Sequence, residues 1–372
     1  MKSFREEFNS IRRLCESDKY KNEIDNLQKS LLRQPIVLYG AGSAGVAVAR
    51  IFRNRGLDVV CFCDKNKTGI QQDTGIPIIS PQMLLIYNPD AIIFISSTVY
   101  ADEIMSDLTV LGVPSDRVIA NTFFNLHEVT ISDIEHHLSD YERVFNLFND
   151  CKSKEIILGR LQCFLTPSPL IPSYITPIRI SPYISQYFDE SILMLSSDEI
   201  FVDGGMYIGD TAELFFRFTN GNYKHYYGFE PDIKNSNVAR EKLEKKPNIT
   251  IIAKGLWCCE TEIGFTGNSA STSKVDMMTS HSLVSVTALD SYFNDKSPPT
   301  FIKMDIEGAE LEALKGAEHI IRKYKPKLAI CVYHKPEDIY ELPELLKKYR
   351  NDYRFYLRHY RNSLSETVLY AI

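Results

Sequence analysis

The stretch of residues 200–211 constrains the fold of this chain more than any other. It reads Ile-Phe-Val-Asp-Gly-Gly-Met-Tyr-Ile-Gly-Asp-Thr, so a short apolar run ends in an acid, two adjacent glycines and, four residues later, a third glycine. A helical pattern over residues 211–218 follows directly. A strand, a glycine turn and a helix in this order predict the first unit of a nucleotide-binding α/β sheet. Glycines let the backbone approach a ligand closely, and the first N–H groups of the new helix face that ligand.

The chain of 372 residues is too long for one ordinary core and predicts two domains. A formal net charge of −6 provides no basic surface, so we expect no nucleic-acid partner. Residues 1–33 form a charged helical segment without the apolar core of a signal peptide. No apolar run approaches the ~20 residues that cross a bilayer. We therefore expect a cytoplasmic protein without a membrane span, and no pattern indicates an oligomeric state.

None of the eight cysteines forms a Cys-x-x-Cys pair. Cys61 and Cys63 alternate within a predicted strand, and Cys258 and Cys259 are adjacent. Neither spacing suits a zinc site or a disulfide framework. The cysteines are therefore interpreted as thiols in a reducing compartment.

A second glycine turn lies near the N-terminus, in a lobe predicted to cover residues 34–125. A strand at 35–39 precedes Gly-Ala-Gly-Ser-Ala-Gly, and a helix (46–55) and a strand (59–63) follow. Asp64 ends that strand 24 positions after the first glycine, close to the ~20 expected for a ribose-binding carboxylate. Further elements are predicted at 90–95, 100–111 and 117–119. The candidate ligand residues of this lobe are Gly40, Gly42, Gly45 and Asp64.

This lobe resembles the small Rossmann-like lobes at the front of sugar acyltransferases and other carbohydrate-modifying enzymes. Gly69, the run 75–78 and Ser80-Pro81 continue the resemblance. In such lobes the glycine turn either holds a nucleotide-sugar or serves the fold alone, and both alternatives stay open here.

Residues 126–184 are predicted to form a helical and Pro-rich connector. Residues 131–150 have a helical pattern, in which His136 and His137 point about 100° apart and cannot share one metal. The prolines between 167 and 182 block a regular helix and mark a domain boundary.

The second domain, residues 185–372, continues with predicted strands at 225–229, 249–253, 300–304 and 327–332. Short polar strands over 258–288 predict a hairpin insertion. One helix is predicted from 310 to about 324, and another within 337–349, where Pro343 is tolerable only in the first turn. The last two strands, at 353–359 and 367–372, are joined without a helix and predict an antiparallel pair at one edge of the sheet.

Three motifs of this domain occur in the order found in a known family. They are Val-Asp-Gly-Gly-x-Tyr-Ile-Gly-Asp-Thr from residue 202, Phe-Glu-Pro-Asp from 229 and Lys-Met-Asp-Ile-Glu-Gly-Ala-Glu from 303. Together with Glu-Thr-Val-Leu-Tyr from 366, they resemble the FkbM-type methyltransferase family over about half the chain. The resemblance implies two Rossmann-like α/β domains, of which the second has the class I methyltransferase fold with a mainly parallel sheet. It also implies S-adenosylmethionine (SAM) as cofactor and O-methylation, often of sugar hydroxyls in glycans or of natural products.

The cofactor-binding residues follow from the motifs that carry the resemblance. The glycine turn would lie under the methionine part of SAM, and Glu230 would accept two hydrogen bonds from the ribose diol. Thr211 is better explained as a helix-capping residue. The full expected cofactor set is Asp203, Gly204, Gly205, Tyr207, Gly209, Glu230, Asp232 and Glu307.

The candidate catalytic residues are Lys303, Asp305 and His334. Lys303, Asp305 and Glu307 alternate at the end of a strand, which places them on one side of the carboxyl edge where α/β sheets bind ligands. A lysine–acid pair that only braces the sheet is the alternative. Asp305 and His334 are the candidate general bases. Although Asp305, Glu307 and His334 have metal-binding side chains, no spacing requires an ion, and we predict no metal.

Two other functions compete with a methyltransferase that acts on a carbohydrate or other small acceptor. A NAD-linked oxidoreductase would use the turn at 40–45, but no Tyr-x-x-x-Lys or comparable hydride-transfer set accompanies it. A non-catalytic scaffold would use the first lobe to recruit a partner, and the intact Glu230 and Asp305 argue against it. The sequence leaves the acceptor unidentified.

Overall fold

The fold is described from a computed structural model of the chain. The described residues are 2–18, 21–22, 26, 29, 33–54, 56–97, 100–119, 129–165, 178, 184–266, 274–275, 282–360 and 365–372. Two compact units are distinguished. The first comprises Met1–His137, Ile157–Thr176 and Arg361–Ser365, and the second Leu138–Ile156, Pro177–Tyr360 and Glu366–Ile372.

The first unit contains a six-stranded sheet in the order β3-β4-β2-β1-β5-β6. All pairs are parallel except β3 with β4. The strands are β1 (Ile36–Tyr39), β2 (Val59–Cys63), β3 (Gly69–Ile70), β4 (Pro77–Ile79), β5 (Ile92–Ile95) and β6 (Val118–Ile119). Side chains of β1 alternate between two apolar cores, with Leu38 on one side of the sheet and Val37 on the other. An uninterrupted apolar run such as Ile-Val-Leu-Tyr is typical of a parallel strand that is covered on both faces.

Helices pack on both faces of this sheet. The helices of the first unit are α1 (Phe4–Glu16), α2 (Ser43–Asn54), α3 (Pro81–Tyr87), α4 (Ala101–Val110) and α5 (Ile131–His136), with a 3₁₀ turn at Ser115–Arg117. Residues of α2 join the core on the face of Leu38, and residues of α3 and α4 join the core on the face of Val37. The predicted helix 131–150 is not continuous, because α5 ends before His137 and a separate helix begins at Leu138.

The second unit is built on a seven-stranded sheet in the order β11-β10-β9-β16-β17-β19-β18. Its first five strands are parallel, and β19 runs antiparallel to both neighbours. The expected antiparallel C-terminal pair is therefore confirmed. The sheet strands are β9 (Ile200–Gly204), β10 (His225–Phe229), β11 (Ile249–Ile252), β16 (Phe301–Met304), β17 (Lys327–Cys331), β18 (Phe355–His359) and β19 (Thr367–Ala371).

Aromatic side chains form the core on one face of this sheet. Phe201 packs against Phe215 at 4.6 Å and against Phe301 at 4.8 Å between ring centroids. All three are fully buried. Burying each such ring contributes about 1.5–3 kcal/mol, so this core anchors β9 and β16, the two strands from which the glycine turn and the acid-rich motif emerge.

A smaller sheet forms the predicted insertion. Its strands are ordered β12-β15-β13-β14, and β13 pairs with β15 in antiparallel register. They are β12 (Gly255–Leu256), β13 (Thr261–Thr266), β14 (Lys274–Val275) and β15 (Ser282–Thr287). A further short pair, β7 (Ile184–Ser185) and β8 (Phe188–Asp189), precedes the main sheet.

The remaining helices follow the predicted order, with two corrections. The helix predicted from 310 to 324 is two helices that break at Gly316, where an added Cβ would lie 2.1 Å from the Trp257 carbonyl oxygen. Pro343 lies inside its helix rather than in the first turn, and it is buried there. The helices are α6 (Leu138–Leu147), α7 (Cys151–Leu165, divided between the two units), α8 (Asp210–Phe218), α9 (Ile233–Leu243), α10 (Leu289–Tyr292), α11 (Glu310–Lys315), α12 (Glu318–Tyr324) and α13 (Asp338–Tyr349).

The connector prolines, at 167, 169, 172, 177 and 182, lie outside the described residues. Helix α7 lies within the connector, which is predicted to be helical, but it begins beyond the helical pattern of residues 131–150. Across the ranges that the structure describes, no helix has the length and apolar character needed to cross a membrane.

Candidate active site

The glycine turn after β9 is packed tightly against the neighbouring strand. Gly205 has φ +72°, and a Cβ there would lie 1.9 Å from the Asp305 carbonyl oxygen. The Gly205 N–H donates to the Phe229 carbonyl at 3.0 Å, and Gly209, with φ +81°, begins α8. Positive φ and close backbone contact both demand glycine at residue 205. The turn is therefore fixed by two strands at once.

A buried ion pair braces this turn from below. Lys303 Nζ lies 3.0 Å from Asp203 Oδ1 and donates to the carbonyls of Gly204 (3.1 Å) and Gly205 (2.9 Å). Both side chains are almost fully buried, and Asp203 also accepts a hydrogen bond from the Tyr226 hydroxyl at 2.8 Å. Burial alone would lower the pKa of Lys303, but Asp203 and Asp305 raise it, so the amine is an ammonium.

Lys303 Nζ thus makes two hydrogen bonds and one ion pair inside the protein. These contacts favour a positioning role for Lys303, which is the bracing alternative considered from the sequence. Asp203 is fully buried between Lys303 and Tyr226.

Glu230 lies at the end of β10, across the turn from β16. Its carboxylate accepts hydrogen bonds from the Tyr207 N–H at 3.1 Å and the Asp232 N–H at 2.9 Å, one on each oxygen. The residue is 7% exposed. Burial raises the pKa of Glu230 to about 7, although the two N–H groups act to lower it. Each oxygen keeps a second lone pair, so the carboxylate can still accept from two hydroxyl groups.

The contacts of Asp232 differ from those expected of a cofactor-binding residue. Its Oδ1 accepts hydrogen bonds from the Lys234 N–H at 2.7 Å and the Asn235 N–H at 3.1 Å, as the N-cap of α9. A helix-capping role accounts for this side chain, and its own N–H orients Glu230.

Three acidic side chains surround one histidine beyond the ends of β16 and β17. His334 Nε2 lies 3.3 Å from Asp305 Oδ1 and 3.5 Å from Glu307 Oε2, while Nδ1 lies 2.9 Å from Glu310 Oε1. We call these four residues the His334 cluster. Its inner part is buried, with side-chain exposures of 0% for Glu310 and 8% for His334. Asp305 (24%) and Glu307 (29%) form its open side.

The charges of the cluster follow from its geometry. Burial alone would lower the pKa of His334, but Glu310, Asp305 and Glu307 raise it to about 10. Burial would raise the pKa of Asp305, but Lys303 and His334 lower it overall. Burial raises the pKa of Glu307 to about 7. At neutral pH, His334 therefore already carries the proton that a general base would have to accept, whereas Asp305 is ionised.

Two tyrosines that the sequence analysis did not single out hold Asp305 in place. The Tyr187 hydroxyl donates to Asp305 Oδ2 at 2.7 Å, and the Tyr333 hydroxyl donates to Oδ1 at 3.1 Å. Burial raises the pKa of both tyrosines well above the usual value, so both remain donors. Tyr187 is 118 positions from Asp305 and carries no motif, so no sequence pattern indicated it.

Backbone strain also concentrates at this site. Tyr187, Tyr207 and Glu307 have positive φ values of 72°, 51° and 57°, although none is glycine. Such conformations cost of order 1–3 kcal/mol each and persist where the surrounding structure enforces them.

The glycine turn of the first unit is built from its own set of contacts. Gly40 has φ +113°, and a Cβ on Gly45 would lie 2.0 Å from the Gly40 carbonyl oxygen, whereas a Cβ on Gly42 would meet nothing within 4 Å. Asp64 accepts from the Ala41 N–H at 2.9 Å on one oxygen, and from the Asn66 (2.9 Å) and Lys67 (3.1 Å) N–H groups on the other. Gly40, Gly45 and Asp64 thus serve the fold directly, and only Gly42 leaves open space.

The sheet order of the second unit, its glycine turn and the acids at its carboxyl edge define a class I methyltransferase fold. Residues 203–355 match the family profile of the methyltransferase FkbM domain, and this part of the chain is an FkbM methyltransferase domain. The family prediction is thereby confirmed. Residues 32–119 match a profile described as C2185-like, N-terminal.

A methyltransferase FkbM from Methylobacillus flagellatus KT is similar over 93% of both chains, with 23% identity and a TM-score of 0.62. At that identity the likeness shows the shared fold. Aeropyrum pernix fibrillarin in complex with SAM is similar over 50% of this chain and 73% of its own, at 10% identity and a TM-score of 0.32. Among curated proteins, none matches the chain.

The residues of the second unit fit the SAM that the fold implies. A ribose diol offers two hydroxyl donors, and Glu230 offers two carboxylate oxygens that each retain an unused lone pair. The turn from Gly205 to Gly209 lies beside that carboxylate, because Tyr207 within it donates to Glu230. Tyr207 is 37% exposed, and its N–H donates to Glu230, so it lies beside the proposed ribose site.

Proposed function

We propose that the second unit is a SAM-dependent O-methyltransferase that acts on a sugar hydroxyl of a glycan or sugar nucleotide. One observation carries the proposal: the glycine turn is flanked by Glu230 on one side and Asp305 on the other. Glu230 accepts from Tyr207 within the turn, and the Asp305 N–H donates to the Gly204 carbonyl at 3.1 Å. Glu230, which can accept hydrogen bonds from a ribose, and Asp305, which can accept a proton from an acceptor hydroxyl, thus border the same turn.

When bound, SAM supplies an electrophilic methyl group on its sulfonium. Glu230 would accept hydrogen bonds from the ribose hydroxyls, and the turn from Gly204 to Gly209 would hold the methionine part. Asp203 and Lys303 keep the turn in shape from beneath. Holding the donor and acceptor in line is itself a large contribution to the rate of a displacement reaction.

The acceptor hydroxyl must lose its proton as its oxygen takes the methyl group. We assign the acceptance of that proton to Asp305, because its carboxylate is ionised, partly exposed and fixed by Tyr187 and Tyr333. His334, the other candidate from the sequence, already holds a proton and is assigned the positioning of Asp305 and Glu307. A positioned base contributes typically about 10²–10⁴-fold.

The open side of the His334 cluster favours a neutral polyhydroxyl acceptor. Asp305 and Glu307 accept hydrogen bonds, so they complement hydroxyl donors, and their negative charge repels an anionic group. For a sugar nucleotide, the phosphates would have to lie away from these two side chains.

The first experiment is calorimetric titration of the purified chain with SAM and, separately, with NAD. We expect saturable SAM binding that Glu230→Ala abolishes while Asp64→Ala does not. Binding of NAD with loss of binding in Asp64→Ala, and no SAM binding, would favour the oxidoreductase alternative. SAM binding without turnover on any acceptor in an otherwise folded chain would favour the scaffold.

The acceptor class is tested by mass spectrometry of cell-surface glycans from cells with and without the protein. We expect the mass increment of a methyl group to disappear from one glycan species when the protein is absent. Unchanged glycans, together with methylation of a non-carbohydrate product, would reject the sugar assignment and leave the methyltransferase assignment standing.

The glycine turn of the first unit supports a second, smaller proposal. We propose that a nucleotide-sugar binds over Gly42, because among the three glycines of its turn only Gly42 has nothing within 4 Å of an added Cβ. Loss of nucleotide-sugar binding in Gly42→Val, with the fold retained, is the expected outcome. Unchanged binding would place the ligand elsewhere.

A further inference from the structure

We propose that the His334 cluster is a divalent-cation site, with Asp305, Glu310 and His334 as protein ligands and Glu307 beside it. The ion is of the class that accepts both carboxylate and imidazole ligands, such as Mn²⁺ or Zn²⁺. This inference revises the sequence expectation of no metal. It rests on the proposed function only for the use of the ion, which would be to hold an acceptor oxygen, and ion binding itself is independent of methyl transfer.

The donor atoms already converge. Asp305, Glu310 and His334 each offer one ligand atom, and these atoms lie within 4.8 Å of one another. Ligands that bind one transition ion at about 2.1 Å are up to about 4.2 Å apart, so small side-chain rotations complete the site. The three residues come from two adjacent strand ends, β16 and β17, and the first turn of α11.

Buried atoms without hydrogen bonds point to a missing positive partner. Glu310 is 0% exposed, and its Oε2 makes no hydrogen bond. The His334 side chain is 8% exposed, and neither ring nitrogen has a hydrogen bond of acceptable geometry, although Nδ1 lies 2.9 Å from Glu310 Oε1. A buried carboxylate oxygen without a partner costs several kcal/mol, and such atoms in folded proteins mark a bound water or ion.

The charge around the cluster also favours a cation. The carboxylates of Asp305, Glu307 and Glu310 surround one imidazole, and Asp338 approaches Glu310 from α13. The nearest buried lysine, Lys303, is already paired with Asp203. Lys335 lies beside Gly308 and is the other cation near the cluster, so four acids face His334 and Lys335. A divalent ion would displace the proton that His334 otherwise holds, and the two ligating carboxylates would balance its charge.

Hydrogen bonds from neighbouring groups hold two of the proposed ligands, Asp305 and Glu310, in place. The Tyr187 and Tyr333 hydroxyls hold Asp305, and the Ile306 N–H donates to Glu310 Oε1 at 2.9 Å. Such partners orient ligating carboxylates. The more exposed Asp305 and Glu307 leave a side of the site open, where an acceptor oxygen could complete the coordination.

The mixture of ligands selects among ions. Carboxylate and water ligands suit Mg²⁺, Ca²⁺ and Mn²⁺, whereas an imidazole favours transition ions such as Fe²⁺ or Zn²⁺, and Mn²⁺ is the transition ion among the oxygen-preferring group. We therefore expect Mn²⁺ and Zn²⁺ to bind more tightly than Mg²⁺ or Ca²⁺.

The test uses the full chain, treated with chelator and dialysed, without SAM or acceptor. Calorimetric titration with MnCl₂ and ZnCl₂, and electron paramagnetic resonance of free Mn²⁺, measure the stoichiometry. We expect one ion per chain, competition between Mn²⁺ and Zn²⁺, and a rise in the melting temperature on binding. Absence of saturable binding of either ion to the folded chain would overturn the proposal.

The variants Glu310→Gln and His334→Gln keep side-chain size while removing a ligand. We expect each to weaken Mn²⁺ binding by at least about tenfold, whereas Glu318→Gln, an exposed acid paired with Arg322 on α12, leaves it unchanged. Circular dichroism verifies that each variant is folded. Equal affinity in all three variants would place the bound ion elsewhere and reject the site.

Failure of this inference is distinguishable from failure of the proposed function. Methyl transfer that is unaffected by exhaustive chelation, in a chain that binds no Mn²⁺, would reject the ion and retain the methyltransferase. Stoichiometric Mn²⁺ binding in a chain that does not bind SAM would retain the ion site and reject the proposed cofactor.

Discussion

The two glycine turns of this chain share their backbone contacts and differ in the side chains that close them from the neighbouring strand. In each, the acid that ends the second strand accepts an N–H from the turn: Asp64 from Ala41 and Glu230 from Tyr207. In each, the strand on the other side closes against the turn, since the Ser96 N–H donates to Tyr39 at 2.9 Å and the Asp305 N–H to Gly204 at 3.1 Å.

The difference lies in the side chains that close each turn. Ser96 donates its hydroxyl to the carbonyls of Tyr39 and Gly40 at 2.9 and 3.0 Å. In the second unit a lysine makes the corresponding contacts, and Asp305, at the position matching Ser96, opens into the His334 cluster. Ser96 is neutral, whereas Lys303 and Asp305 are charged groups beside the second turn. A glycine turn of this kind identifies the fold but not the chemistry, and the catalytic role that we propose for Asp305 would account for the difference.

The largest expected effect is on kcat, where substitution of Asp305 should matter and substitution of the matching Ser96 should not. Asp305→Asn should lower kcat by about 10²–10⁴-fold, because the amide cannot accept the acceptor's proton, while the SAM dissociation constant changes little. Ser96→Ala should leave kcat unchanged. Methyl transfer to an identified acceptor, followed with labelled SAM, measures both. Equal kcat in Asp305→Asn and the wild type would remove Asp305 from the proton-accepting role.

The braces beneath the two turns should differ in free energy of unfolding. Lys303→Met leaves Asp203 buried without its partner and should cost about 3–5 kcal/mol in the second unit. Ser96→Ala removes neutral hydrogen bonds and should cost about 0.5–1.5 kcal/mol in the first. Urea unfolding followed by hydrogen exchange assigns each loss to its unit. A smaller cost for Lys303→Met than for Ser96→Ala would show that the ion pair is not a brace.

The glycines themselves provide a sharper contrast. Gly205→Ala places a methyl group 1.9 Å from the Asp305 carbonyl oxygen at φ +72°, and should cost about 1–3 kcal/mol with a displaced turn and weaker SAM binding. Gly42→Ala meets nothing within 4 Å and should unfold like the wild type. Thermal unfolding of the two variants side by side makes the measurement. Comparable losses would contradict the packing described for the two turns.

The smallest effect concerns pH. The pKa of Glu230 is raised to about 7, and ribose hydroxyl donors favour the ionised carboxylate, so SAM binding should release a proton below that pH. Affinity should therefore rise about tenfold from pH 6 to pH 8 and then level off. Glu230→Gln should abolish the dependence, and Asp64→Asn should retain it. A flat profile in the wild type would show that Glu230 does not contact the cofactor.

Much of the site could be predicted because parallel strands end at one edge of the sheet. Glu230, Asp305 and His334 each follow a different strand. The structure places Glu230 and Asp305 beside the glycine turn, and His334 lies 3.3 Å from Asp305. The alternation of Lys303, Asp305 and Glu307 did not reveal that Lys303 turns beneath the backbone while the two acids continue outward. That distinction depends on tertiary contacts with Asp203 and His334, which no local period encodes.

Other features were beyond sequence reasoning for similar reasons. Tyr187 reaches Asp305 from a short strand far away in the chain, and the break at Gly316 arises from its approach to the Trp257 carbonyl. Pro343 is accommodated in the interior of α13, where general helix rules disfavour it. Glu310 belongs to a quoted motif, but only the fold shows that it points inward, unlike Glu307.

The left-handed pair Glu307 and Gly308, with φ values of 57° and 94°, forms a turn between Asp305 and Glu310. Across this turn the partly exposed Asp305 and the fully buried Glu310 contact opposite nitrogens of the His334 ring. An insertion of a single residue between them would rotate the inner acid out of reach while leaving the amino-acid composition almost intact. The proposed cation site therefore depends on the number of residues between Asp305 and Glu310 more than on the identity of the apolar residues between them.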